Sequence, residues 1–217
     1  ASMALLPPLL QHLMGYPTVT TGLVMAPRGV GTMISMLIVG RLVRRVDPRL
    51  LVLAGLALTA WSLHAMTGFS LEMDRTPILV SGVVQGLGLG LVFVPLSTIA
   101  FATLAPRDRT DAASLFSLVR NLGSSVGISM VSTLLAQNTQ VNHAVLAAHV
   151  TPFNPLVDPY LSALGAAAPQ QALAAINAEV TRQAAMIAYI DDFLLMMAIT
   201  LAAVPLLLLL RRPKPVA

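Results

Sequence analysis

Arg28 stands in Ala26-Pro-Arg-Gly29, inside a stretch of roughly 19–40 that is otherwise free of charge. If that stretch is a helix, Arg28 lies roughly 20 Å along its axis from Arg41. That is well inside a hydrocarbon layer of ~30 Å. A charge at this depth costs at least ~2.5 kcal/mol on insertion scales, so the guanidinium should face a cavity or a partner. Thr21, Thr32 and Ser35 fall within about 40° of it around the helix. Asp191 and Asp192, in Ala188-Tyr-Ile-Asp-Asp-Phe193, open the last apolar stretch at its outer end. One of these carboxylates at the depth of Arg28 would form an ion pair, and that pair is the expectation. Two plainer readings stay open: Arg28 in a purely structural pairing, and two solvated carboxylates that favour a helix start.

Other polar side chains interrupt long apolar runs. Gln85 could hydrogen-bond within a cavity, as could Asn121 and Ser125. Ser114, Ser117, Asn121, Ser125 and Ser132 share one helical face, while Arg120, Gly123 and Gly127 share another roughly 100° away. The glycine face suits close packing and the serine face a cavity wall. Arg120 could equally snorkel to the interface. Met25, Met33 and Met36 recur at helical spacing, either as ordinary packing or as a deformable apolar surface that suits varied ligands. His64 is isolated in an apolar run. The four His are scattered, no H-E-x-x-H occurs and there is no Cys, so no metal site and no cofactor are expected.

The elements that must position these residues follow from composition. Of 217 residues, 56% are hydrophobic and 10% charged, against about 25% charged in an ordinary soluble domain. A soluble domain of this size could not hide so much apolar surface. The net charge of +4 comes from short basic clusters between uncharged runs, with no basic stripe interleaved with aromatics, so nucleic acid is excluded as a partner. Segments of alternating polarity, the mark of a membrane β-barrel, do not appear. The fold class is therefore all-α, a polytopic transmembrane helical bundle in a lipid bilayer.

A partial span is expected at 1–11, with full spans near 19–40, 50–70, 77–104, 113–136 and 188–210. All belong to one transmembrane domain of residues 1–217. Arg41, Arg44, Arg45, Arg49, Arg107, Arg109, Arg211, Arg212 and Lys214 then fall on one side. By the positive-inside rule that side is cytoplasmic, as is the C-terminus, and the Ala-, Gln- and Asn-rich stretch 137–186 is an extracytoplasmic loop whose second part, from about 170, can be helical. The apolar opening at Ala1, with no basic residues before it, reads as the cut end of a membrane helix rather than a signal peptide.

Two further motifs connect these spans. Gly40-Arg-Leu-Val-Arg-Arg-Val-Asp-Pro-Arg49 places a turn and charges between the second and third. Gly82-Val-Val-Gln-Gly-Leu-Gly-Leu-Gly90, followed by Pro95, repeats Gly82, Gly86 and Gly90 every four residues and so builds a helix face open to close approach. Dinucleotide binding is excluded here because no strand surrounds these glycines. The first motif resembles the cytoplasmic loop signature of the major facilitator superfamily, with Gly40, Leu42, Arg45 and Arg49 matching, Arg44 where Asp is usual and Asp47 where Gly is usual. The second resembles that family's fourth-helix signature at Gln85, Gly86 and Gly88, with Gly82 in place of an Arg tied to proton coupling. With Pro-Arg-Gly, R-N-L-G-S-S-x-G from Arg120 and A-Y-x-D-x-F from Ala188, the order resembles the C-terminal part of fourteen-helix drug:proton antiporters of the EmrB/QacA type, over about residues 5–212.

This resemblance implies the C-terminal half of a major facilitator fold and about eight further helices upstream, which would carry the coupling residues of the first and fourth helices. It implies proton-driven export of amphipathic or hydrophobic compounds across an inner membrane, two halves rocking about a midplane site, and a periplasmic adaptor on the 137–186 loop. A non-transporting scaffold or degenerate half-transporter is the alternative. An intramembrane enzyme would need a nucleophile beside a base, or metal ligands, and a channel would need a filter motif; the sequence offers neither.

Overall fold

Runs of Leu, Ala, Met and Gly make helices here, and Pro17, the Asp47-Pro48 pair and Gly68 mark their breaks. The computed structural model describes residues 2–43, 45–101, 105–151 and 169–209, and every regular element among them is helical. Helix α1 covers Ser2–Pro8 and is continued by a π-helical turn at Leu9–Leu13; α2 covers Thr18–Leu42, α3 Pro48–Thr67 and α4 Arg75–Phe101. A 3-10 turn at Pro106–Asp108 leads into α5, Arg109–Ala147; α6 covers Pro169–Ala202 and α7 Leu206–Leu209. Pro7 and Pro8 lack the N–H groups that an α-helical ladder needs, and the wider π turn follows them directly. Gly15 then takes a left-handed conformation, φ +68°, that reverses the chain towards α2.

Helices α2, α3, α4 and α6 (over Gln171–Ala202) are each long and apolar enough to cross a membrane. Helix α5 has 39 residues, or ~58 Å, ample for a crossing, but Ser and Asn make it less apolar. It runs through Ala147, into the stretch expected to be a loop. Ala and Gln are good helix formers, and the Thr139 hydroxyl bonds back to the Leu135 carbonyl at 2.7 Å, so nothing stops the helix at 136. The expected loop contracts accordingly: α6 already begins at Pro169, and residues 152–168 lie outside the described ones.

The turn expected within the Gly40–Arg49 motif follows the end of α2 at Leu42; α2 continues past Gly40, where a Cβ would meet nothing within 4 Å. Asp47 ends the turn by capping α3. Its carboxylate accepts from the Arg49 amide at 3.0 Å, with Pro48 at the first helical position. Arg49 is half-buried and Arg45 exposed, while Arg44 lies outside the described residues. Asp47→Ala should cost about 1 kcal/mol. Thermal unfolding of the purified transporter that carries this chain measures it, and an unchanged Tm would contradict the capping role.

Packing runs laterally in the order α2, α4, α3, α6, α5. Helix α4 touches α2 and α3 through backbone-close contacts. A Cβ built on Gly31 of α2 would lie 2.6 Å from the Val83 carbonyl oxygen, and one on Gly88 of α4 2.8 Å from that of Gly55 in α3. Such approach supplies the van der Waals attraction that holds helices together where lipid removes the hydrophobic drive. Two hydroxyls add interhelical bonds: Ser35 donates to the Leu87 carbonyl and Ser62 to the Ser81 carbonyl, each at 2.7 Å. A second cluster joins the π turn, α3 and α6. Leu9, Leu10, Met66 and Phe193 are fully enclosed, and Phe69 meets Phe193 edge-on at 6.0 Å.

Candidate functional site

Arg28 is buried in the middle of α2, only 7% exposed. The glycine face of α4 makes room for it. Gly86 lies against the Arg28 carbonyl and leaves its own missing Cβ 2.9 Å from the Thr32 amide, while a Cβ on Gly82 would sit 3.7 Å from that of Arg28. The Pro-Arg-Gly motif and the glycine-rich motif thus form one structural unit. Its polar centre is a short chain. Arg28 Nη2 donates to Ser2 Oγ at 3.3 Å, and Ser2 Oγ donates to Gln85 Oε1, also at 3.3 Å. Three helices, α1, α2 and α4, meet there, and Ser2, Arg28 and Gln85 are all buried. Arg28 Nη1 is enclosed with no hydrogen-bond partner among the described residues.

Beside this node runs a groove of about 840 Å³ along α2. Met3, Met25, Met33, Met36, Leu37 and Leu89 give its apolar lining, with Gly22, Ala26, Arg28, Gly29 and Thr32 beneath. The three methionines expected at helical spacing therefore line one groove, joined by Met3 of α1; Met33 and Met36 are exposed and Met25 is half-buried. Thr21 and Ser35 are buried on the Arg28 side of α2, as their spacing required.

The expected ion pair is not formed. Arg28 binds Ser2, and the ion pairs seen among the described residues are Arg107–Asp108 and Arg182–Glu179. The reason is lateral position: α2 packs on α4, whereas α6, which carries Asp191 and Asp192, packs on α3 and α5. Both acids lie within α6, which is helical from Pro169 and runs on through them, as the expected helix from about 170 into the last span has it. Asp191 is exposed. Asp192 is 1% exposed, and its Oδ2 has no hydrogen-bond partner among the described residues.

Helix α5 rests on α6, where His143 Nε2 meets Asn177 Oδ1 at 2.9 Å. Val131 is its one buried residue. Asn121 and Ser125 line a shallow cleft of about 480 Å³ with Ser124, Ile128 and Ser129. A Cβ on Gly123 or Gly127 would meet nothing within 4 Å among the described residues, and α5 meets α6 through larger side chains further along. Arg120 is exposed, with its guanidinium carbon 5.3 Å from the centre of the Phe93 ring on α4, a cation–π contact. Gly90 meets Ser35 Cβ at 2.6 Å (again for a built Cβ), and Pro95 is buried in α4. Ser2 was not singled out by sequence; its signal was being the polar residue at the head of an apolar run.

A family model described as the Major Facilitator Superfamily matches residues 1–151. The chain belongs to the major facilitator superfamily. It is 30% identical over 215 residues, 98% of its length, to the fatty acid resistance protein FarB of Neisseria gonorrhoeae, and covers 42% of that protein. It is 31% identical over 198 residues, 88% of its length, to the multidrug export protein EmrB of Escherichia coli (strain K12), and covers 38% of it. It is 34% identical over 149 residues, 68% of its length, to a multidrug resistance protein B homolog of Mycobacterium tuberculosis (strain ATCC 25618 / H37Rv), covering 27% of it. The chain thus spans under half the length of these relatives. The resemblance to EmrB-type transporters read from five ordered motifs holds over most of the chain. This major facilitator chain is a multi-pass membrane protein of a transporter family.

Proposed function

We propose that the chain forms one wall of the substrate pathway in a proton-driven exporter of amphipathic and hydrophobic compounds. It works with a further set of helices, such as its longer relatives have room for, which would supply the opposite wall. The observation that carries this reading is the buried Arg28–Ser2–Gln85 node beside a methionine-lined groove. A guanidinium that deep in an apolar layer needs a reason, and a cargo pathway supplies one. The flexible thioethers adapt to cargo of varied shape, while Asn121 and Ser125 on exposed α5 offer hydrogen bonds to cargo or to the opposite wall. Asp192, buried and with no hydrogen-bond partner for Oδ2 among the described residues, offers a proton acceptor. In this reading the protein sits in the inner membrane with its C-terminus cytoplasmic, and the segment between α5 and α6 faces outward, where a periplasmic adaptor could dock.

The test uses cells that express the transporter carrying this chain. They should accumulate less of a lipophilic dye than cells without it, and a protonophore should erase the difference. An equal dye content with and without the transporter would favour a non-transporting scaffold. A difference that survives the protonophore would remove the proton as driver.

A further inference from the structure

The junction of α2 and α3 carries a positive charge that the described residues do not balance. Between positions 41 and 49 the sequence has four arginines, Arg41, Arg44, Arg45 and Arg49, and one acid, Asp47, whose carboxylate is engaged in capping α3. No ion pair joins Arg41, Arg45 or Arg49 to an acid among the described residues. Arg41 and Arg45 are exposed. Arg41 Nη1 donates to the Leu37 carbonyl at 3.5 Å, long for a hydrogen bond. Arg49 is half-buried, and its Nε is enclosed with no hydrogen-bond partner among those residues. Apolar stripes rise from these cations. On α2, Val30, Ile34 and Ile38 are exposed and share a helical face with Arg41. That face lies roughly 140° round the helix from the mean direction of Met25, Met33 and Met36 in the groove. On α3, the exposed Leu50, Leu53 and Ala57 follow directly on Arg49. From Arg41 to Val30 the stripe runs ~16 Å along the helix axis, about one leaflet of a ~30 Å hydrocarbon layer.

We propose that this junction binds an anionic phospholipid, with its phosphate held by Arg41, Arg45 and Arg49 and its acyl chains along the two apolar stripes. The charged residues there are arginines rather than lysines, and a guanidinium fork matches two phosphate oxygens at once. An anion beside Arg49 also offsets a half-buried cation that no acid among the described residues neutralises. Position favours the same ligand. The arginines stand at the end of α2 and the start of α3, where a lipid headgroup lies, and the stripe above Arg41 has the length of one leaflet. A soluble phosphate would use the cations and leave the apolar stripes without a role. A covering helix of the same transporter would have to bring acids to this end of the bundle. The opposite wall of the export reading belongs over the methionine groove, on another side of α2. The inference stands independently of that reading, since lipid binding is measured without substrate or proton gradient.

Purified transporter carrying this chain, in neutral detergent, is mixed with equal amounts of dioleoylphosphatidylglycerol and dioleoylphosphatidylcholine, which share their acyl chains and differ in net charge. Native mass spectrometry counts the lipids retained. One cation near an anionic lipid is worth about fivefold in attachment, so the three together should retain the phosphatidylglycerol about tenfold or more over the phosphatidylcholine. The combined variant Arg41→Gln, Arg45→Gln and Arg49→Gln should lose this preference and keep the weaker binding common to both lipids. The variant Arg107→Gln with Arg109→Gln, which removes two arginines at the start of α5, should keep it. Glycerol 3-phosphate in excess should not displace the lipid. Equal retention of the two lipids by the unmodified protein overturns the proposal, and is the outcome expected if another helix of the transporter covers these arginines. This arm needs no variant to fold. A preference that survives the triple variant, or that is lost in the α5 variant instead, overturns the assignment to this junction. Displacement by glycerol 3-phosphate overturns the choice of lipid over soluble phosphate.

Discussion

Gly86→Val should leave almost no folded transporter. A side chain at this position meets the Arg28 carbonyl oxygen and comes within 2.9 Å of the Thr32 amide, both backbone atoms of α2. A flexible side chain could turn aside, but a helix backbone cannot do so without moving the helix. Separating α2 from α4 also pulls Ser35 from the Leu87 carbonyl, a 2.7 Å bond, and opens the node at Gln85. Overpacking of a core usually costs 1–3 kcal/mol, and here the obstructing atoms are backbone, so about 3 kcal/mol or more is expected. The loss is not offset by lipid, because close approach is itself the main attraction between membrane helices. Detergent-solubilised fluorescent fusions run on size-exclusion chromatography would show it as loss of the monodisperse peak. Gly123→Val is the matching control on α5, where a Cβ meets nothing within 4 Å, and should run as the unmodified protein does. A normal peak for Gly86→Val would contradict the packing described for α2 and α4.

These two glycines also show how far the sequence could be read. Gly82, Gly86 and Gly90 recur every four residues, so their common face was legible from spacing, and the structure turns that face onto α2. Gly123 and Gly127 have the same spacing and a similar neighbourhood, yet nothing packs against them among the described residues. Spacing fixes which side of a helix a residue occupies but not which neighbour, if any, stands there. The same limit explains the acidic pair. The depth of Arg28 follows from counting residues along a helix axis, and the structure buries it in mid-helix. Whether Asp192 could reach it depended on the lateral order of the helices, which separates α2 from α6 by two others. Depth was readable and lateral position was not. Ser2 was missed for a related reason: a lone hydroxyl in an apolar run gains meaning only when another helix brings a guanidinium and an amide to it.

Helix α5 is the other instructive case. Arg120 could be read either as one of a packing face or as a snorkelling cation. The structure gives it a third neighbour, the Phe93 ring, which no local pattern names. The length of α5 was underestimated because Gln, Asn and Thr near 137–147 were weighed by polarity rather than by helix propensity. Polar residues end a membrane span without ending a helix.

The most direct test of the central claim, that the Arg28 node serves transport, compares Arg28→Ala with Arg75→Ala in the efflux assay. Arg75 is exposed at the start of α4 and stacks over Tyr16 at 5.6 Å, so it controls for loss of an arginine at a helix end outside the node. Removing the Arg28 guanidinium leaves Ser2 and Gln85 bonded to each other and the groove without its charge. A charge-assisted contact of this kind carries about 10- to 100-fold in binding, and efflux at limiting substrate should fall by a comparable factor. Membrane abundance of each variant is measured in parallel, and Arg28→Lys separates charge from shape. The account predicts a deep loss for Arg28→Ala at normal abundance, partial activity for Arg28→Lys and near-normal activity for Arg75→Ala. Near-normal efflux by both alanine variants would contradict it.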